Sequence, residues 1–219
     1  MTQTEKLHLL HQLYQYRALG FDYIKHERKL APPKVVSDDS LQTLSKTLAS
    51  CQLCALAKCR KKVVFGEGNP NATLMFIGEG PGASEDEAGR PFMGRAGQLL
   101  TKIIENVLHV SRNDVYIANI VKCRPPKNRV PLPEEVDACK PFLLQQIARV
   151  NPRIIVALGS TSYHHLTGEF DSKITQVRGQ VMDFGDAKLV PTYHPSFLLR
   201  NPSAKKEVYL DMLKVKSLL

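Results

Sequence analysis

Five short stretches of this chain carry side chains whose type and spacing suit chemistry. Gly78-Glu79-Gly80-Pro81-Gly82 follows a short apolar run, and its glycines leave main-chain N–H groups open to close approach by a ligand. It matches neither the phosphate loop G-x-x-x-x-G-K-[ST] nor the dinucleotide fingerprint G-x-G-x-x-G, because Ser84 and Glu85 follow. A plain strand-to-helix turn would need the same glycines. Downstream, Phe92 stands in an acidic and then glycine-rich stretch, Glu85 to Gly97, that has no core periodicity. A phenyl ring held there is either a platform on which a flat base stacks or an ordinary core anchor.

Asn119 ends an apolar run, and His194 is followed by proline a few residues past another. A carboxamide can read a base edge through paired hydrogen bonds, and an imidazole can polarise a carbonyl. Both residue types are also common structural groups, and nothing but position separates His194 from His164 and His165 among the seven histidines.

The five cysteines point to metal binding or catalysis rather than disulfides if the chain works in a reducing compartment. Cys51 and Cys54 form a C-x2-C pair; 68 residues then intervene before Cys123, and 15 more before Cys139. The first pair can chelate by itself, whereas Cys123 and Cys139 must be brought to it by the fold. Spacing alone is compatible with zinc, with an iron–sulfur cluster, or with two merely buried thiols. Cys59 is left over.

These residues need elements to hold them. Residues 3–30 carry leucines at loosely helical intervals and end at Ala31-Pro32-Pro33, which reads as a helical extension and a linker. Asp38, Asp39 and Ser40 offer N-cap oxygens to a helix with Leu41, Leu44, Leu48 and Cys51 on one face, so the cysteine pair falls at a helix end. From residue 73 onward, apolar runs at 74–77, 115–118, 153–158 and 188–190 alternate with helical stripes. One stripe runs from Ala96 to Val107, one follows Pro133, and one covers 203–217. The expectation is a three-layer α/β/α fold with a central four-stranded parallel sheet, divided into an N-terminal helical extension (1–45) and one domain (46–219). In such sheets the loops leaving the carboxyl ends of strands form the binding crevice. That rule selects the loops beginning at Gly78, Asn119 and Tyr193.

Composition narrows the partners. Lys and Arg number 30 against 21 Asp and Glu, a formal charge of +9, which favours a polyanion without identifying one. No run of 18 apolar residues occurs and the first residues lack a secretory pattern, so a soluble, cytoplasmic protein with no membrane partner is expected.

Taken together, GEGPGASEDEAGRPFMGRAGQLL, YIANIVKCRPPKNR, YHPSFLLRNP and the four-cysteine spacing resemble the family 4 uracil-DNA glycosylases, the iron–sulfur branch of that superfamily. The likeness runs from about Cys51 to the C-terminus. It implies an enzyme that flips uracil out of single- or double-stranded DNA and hydrolyses its glycosidic bond without covalent capture, acting as a nucleoid-associated monomer. It implies a [4Fe-4S] cluster on Cys51, Cys54, Cys123 and Cys139. Phe92 would stack on the base, Asn119 would read its N3–H and O4 edge, and His194 would donate to O2, with Gly78, Gly80, Pro81 and Gly82 shaping the pocket.

Where the best-known branch has an aspartate to activate water, this chain has Gly80, so Glu79 is the nearest acid to position water, with Glu85 and Asp86 behind it. Ser196, Leu198, Leu199 and Arg200 are expected at the DNA, one leucine as the wedge that fills the vacated stack. The covalently trapping branch carries a Lys-Arg-Arg-Ile-His insertion that is absent here. Two other readings remain at this point: a zinc-stabilised nucleic-acid-binding module without catalysis, and a nucleotide hydrolase, for which no phosphate-loop lysine is present.

Overall fold

The computed structural model describes residues 40–219, and the helix and linker expected over residues 3–33 lie outside the described residues. Ser40 caps α1 (Leu41–Ala49) by accepting the Thr43 N–H. This helix buries Leu44 and Leu48 and runs across residue 45.

The sheet is built from β1 (Glu67–Gly68), β2 (Leu74–Gly78), β3 (Tyr116–Asn119), β4 (Ile154–Leu158), β5 (Met182–Phe184) and β6 (Ala187–Thr192), in the order β1-β3-β2-β4-β6-β5. The four expected strands form its parallel centre. They are apolar without alternation because helices cover both faces: Leu74 and Phe76 of β2 enter one core cluster, while Met75 and Ile77 enter the other.

The expected four-stranded parallel centre is present, and among the described residues β1 and β5 extend it to six strands by pairing antiparallel at the two edges. At two and three residues they are too short to show a period. The β5–β6 hairpin did have a signal in its two-residue Gly185-Asp186 turn, where Gly185 takes a φ of 58°.

Helices α2 (Ala83–Ala88), α3 (Arg95–Ile103), α4 (Pro133–Val150), α5 (Ser160–Thr167), α6 (Ile174–Val177), α7 (Pro195–Arg200) and α8 (Lys205–Leu218) complete the layers. The stripe expected from Ala96 to Val107 is α3 continued by a wider π turn over Ile104–Leu108. Through Leu100, Ile104, Val208 and Met212, this segment and α8 cover one face of the sheet; α4 covers the other through Val136, Leu143 and Ile147. Because β2, β3, β4 and β6 are parallel, their exit loops gather at one end.

Candidate active site

At that end lies a pocket of about 320 Å³ lined by Glu79, Gly80, Pro81, Gly82, Phe92, Asn119 and His194, with Ser196 and Arg200 at its rim. Side chains from three separate loops therefore meet in one place. An adjoining cavity of about 460 Å³ shares Glu79, Gly80, His194 and Arg200 with it and continues toward Gly159 and Thr161. His164 and His165 line neither cavity; His164 Nε2 instead lies 2.8 Å from the Ser172 carbonyl at the far end of α5.

Asn119 is the last residue of β3 and is buried, and its Oδ1 has no hydrogen-bond partner. A buried acceptor left open costs about 1–3 kcal/mol, so the site carries a penalty that a donor on a ligand would relieve. Gly78 lies directly behind it. A Cβ there would stand 2.5 Å from Asn119 Oδ1 and 2.6 Å from Phe92 Cζ, so any side chain would displace both. Phe92 is 7% exposed and has a left-handed φ of 53°. It serves as core anchor and pocket wall together: it belongs to the cluster under α3, it lines the pocket, and its ring centroid lies 5.7 Å from that of His194. The turn that carries it is tight, since a Cβ on Gly97 would fall 1.7 Å from the Phe92 carbonyl oxygen.

His194 is the N-cap of α7. Its Nδ1 accepts the Ser196 main-chain N–H at 3.1 Å, which leaves the ring proton on Nε2. Burial, aided by the Arg200 charge, lowers its pKa to about 4, with Glu85 opposing. At neutral pH the ring is an uncharged Nε2–H donor. Glu79 is held by Thr161, whose hydroxyl donates to Oε2 at 2.5 Å.

The acidic run after the glycine loop is structural in detail. Glu85 Oε1 accepts the Met93 and Gly94 N–H groups, each at 2.8 Å, and Oε2 accepts Gly82 N–H at 3.1 Å. One carboxylate thus ties the turn after Phe92 to the glycine loop. Asp86 is buried and accepts the Lys61 N–H at 2.9 Å, which fixes the segment after the first cysteine pair. As a candidate for positioning water Asp86 is therefore corrected: it does not line the pocket and its oxygen is occupied by main chain.

Leu198 is also corrected. At 1% exposure it packs in the core beneath α7, whereas Leu199 on the same helix is 42% exposed. Consecutive helical residues point about a quarter turn apart, so one faces α3 and α8 and the next faces outward.

Asn128 and Arg129 of the pocket and Thr161 of the adjoining cavity are among the lining residues not singled out from sequence. Thr161 follows β4, whose exit loop the same crevice rule selects. Asn128 and Arg129 line the pocket from the proline-rich turn after Cys123, where Lys127 and Asn128 both have φ of 55°. Arg129 is fixed there by a two-pronged bond to buried Glu135, at 2.8 and 2.6 Å.

Cys123 and Cys139 are buried; Cys51 and Cys54 are partly so and Cys59 is exposed. Cys54 packs on the core cluster that contains Cys123 and Cys139. Among the described residues no three His, Cys, Asp or Glu side chains close up round a single ion. The donors around these sulfurs suit thiolates: Arg60 Nη1 lies 3.4 Å from Cys123 Sγ, and Lys122 N–H lies 3.3 Å from Cys139 Sγ. Burial pushes the Cys123 thiol up to about 11, with Arg60 pulling it back.

The fold and pocket define an α/β protein that brings a phenyl ring, an open amide acceptor and a neutral imidazole donor together in one cleft. The sequence model of the Uracil DNA glycosylase superfamily matches residues 65–214. A type-4 uracil-DNA glycosylase of Thermotoga maritima is 47% identical, covering 82% of this chain and 95% of that protein. Those of Sulfurisphaera tokodaii (44% identical; 82% of this chain, 85% of that protein) and Saccharolobus solfataricus (46%; 83% and 87%) are similar over the same span. The chain belongs to the uracil DNA glycosylase superfamily, in its type-4 branch.

Proposed function

We propose that the protein is a monofunctional uracil-DNA glycosylase that hydrolyses the bond between uracil N1 and the deoxyribose C1′, leaving an abasic site for base excision repair. The observation that carries this reading is the buried, unpaired Asn119 Oδ1 in a pocket between Phe92 and His194. Uracil presents N3–H to such an acceptor, whereas cytosine presents an unprotonated N3 and would leave two lone pairs facing each other. The Asn119 amide N–H suits O4 in the same orientation.

With the base seated on Phe92, His194 Nε2–H donates to O2. Negative charge gathers on the ring only as the bond breaks, so this bond strengthens in the transition state more than in the ground state. Glu79, steadied by Thr161, orients the water whose oxygen bonds to C1′. Leu199 is the apolar wedge and Arg200 and Ser196 meet the phosphates of the flipped strand. We place the enzyme with DNA in the cytoplasm as a monomer; no described helix is long and apolar enough to cross a membrane.

Cys51, Cys54, Cys123 and Cys139 are the residues that would hold a [4Fe-4S] cluster, and N–H donors at two of the sulfurs are what such thiolates accept. The cluster would supply a covalent brace between the cysteine loop, the turn after β3 and α4. The hydrolysis is carried by the pocket residues.

The deciding assay incubates the purified protein with oligonucleotides containing one uracil opposite guanine, opposite adenine, or in a single strand, followed by alkali. Cleavage at the uracil position is expected in each. Intact strands from a brown, iron-containing preparation would reject the reading, and a colourless protein with one zinc would favour the non-catalytic module.

A further inference from the structure

Lys122 is 0% exposed, an unusual place for an ammonium group. It stands between Asn119 at the end of β3 and Cys123, and its carbonyl, N–H and ammonium each have a partner. Its carbonyl accepts the Val64 N–H at 2.8 Å and its N–H donates to Cys139 Sγ at 3.3 Å. Its side chain turns back so that Nζ donates to the Asn119 carbonyl at 2.8 Å. Among the described residues no carboxylate forms an ion pair with it. A carbonyl dipole satisfies one hydrogen bond but does not neutralise a buried charge, and such a charge is expensive without a counter-ion. The anionic groups this site can supply are the cysteine thiolates. Arg60 lies against the same set through Cys123 Sγ and the Cys51 carbonyl, at 3.4 and 2.7 Å. Arg60 therefore touches one of the four cysteine sulfurs, whereas Lys122 meets Cys139 through its main-chain N–H and turns its ammonium to the base-reading residue.

We infer that Lys122 is a positioning residue that couples the cluster to base recognition: its ammonium is the buried counter-ion of the thiolate-bound cluster and holds, through the Asn119 carbonyl, the amide that reads the uracil edge. The inference rests on the cluster and the glycosylase activity proposed above. It makes one side chain answerable to both, so a change there moves the electrochemistry of the cluster and the chemistry of excision together.

The test uses the full-length holoprotein. Iron and sulfide content, visible absorption and uracil excision are measured first on the wild type, where a lack of iron or of excision would sink the underlying reading before any substitution is made. Lys122→Met and Lys122→Gln are then compared with the wild type by direct electrochemistry of the cluster and by single-turnover excision at saturating enzyme. Loss of a nearby positive charge favours the more oxidised cluster, so both variants should show a more negative reduction potential at wild-type iron content. Lys122→Met also removes the donor to Asn119, and misplacing that amide should lower the excision rate by about 10²-fold with DNA affinity little changed. Lys122→Gln keeps a donor for the carbonyl and should lose less. A merely structural role would lower thermal stability without moving the potential. Unshifted potentials in iron-replete variants, or wild-type excision by Lys122→Met, would overturn the proposal. Should Lys122→Met not accumulate, the potential of Lys122→Gln decides alone.

Discussion

Asn119, Phe92 and His194 each do in this fold what their chemistry allows, but not with equal effect on turnover. In the proposed reaction a donor that strengthens as charge reaches uracil O2 acts directly on the barrier, whereas Glu79 would only orient water. His194→Ala should therefore depress single-turnover excision by about 10²–10³-fold with DNA binding little changed, and Glu79→Gln should do less. A dead Glu79→Gln enzyme beside a His194→Ala enzyme near the wild-type rate would make general-base activation dominant. The same histidine makes a pH prediction. Its folded pKa of about 4 lies below the ordinary value of 6.5, so between these limits the unfolded chain binds the extra proton. Stability should therefore fall as pH drops through that window, and should fall less in His194→Gln. Urea unfolding of both proteins at pH 6.5 and pH 4.5 checks this, and equal losses would contradict it.

At the scale of elements, α7 divides its work between adjacent leucines. Leu198 is a core residue, so Leu198→Ala should cost about 2–5 kcal/mol of stability, as cavity-forming leucine truncations do. Leu199 faces outward, and Leu199→Ala should change stability by no more than about 0.5 kcal/mol. If it is the wedge, its loss should slow excision from duplexes more than from single strands, where no stack has to be refilled. Chemical denaturation paired with excision on both substrates separates the two roles; an equal slowing on both strands would remove Leu199 as the wedge. The turn that carries Phe92 is likewise a product of several elements. Glu85 clamps its far side, and Arg112 donates to the Pro91 carbonyl at 2.8 Å while pairing with Glu67 at 2.7 Å.

For the whole molecule, the formal charge of +9 should appear as a steep fall of DNA affinity with salt. Lys127, Arg129 and Arg200 lie at the pocket end, but Arg129 is already engaged by Glu135. Arg200 is exposed on α7 beside the pocket. Arg200→Gln should therefore reduce the slope of log affinity against log salt by about one, uniformly for uracil-containing and undamaged duplexes. A change confined to the uracil duplex would mean that Arg200 reads the base site rather than phosphate.

The four parallel strands, the main helices and the exit loops were legible from residues because apolar runs and helical stripes are local, and because a parallel sheet gathers its ligand-binding loops at one end. The glycines at 78, 80 and 82, Asn119 and His194 could be named for the same reason. Other features depend on atoms far apart in the chain. That Leu198 is core and Leu199 is exposed follows from how α7 packs against α3 and α8, which no periodicity in six residues reveals. That Glu85 is a clamp and Asp86 a tie to the segment after the cysteine pair depends on main-chain donors brought to them from residues 61, 82, 93 and 94. The edge strands exist only by pairing with strands already in place. The open acceptor of Asn119 and the burial of Lys122 are likewise tertiary facts, because each is set by which partner the packed chain supplies or withholds.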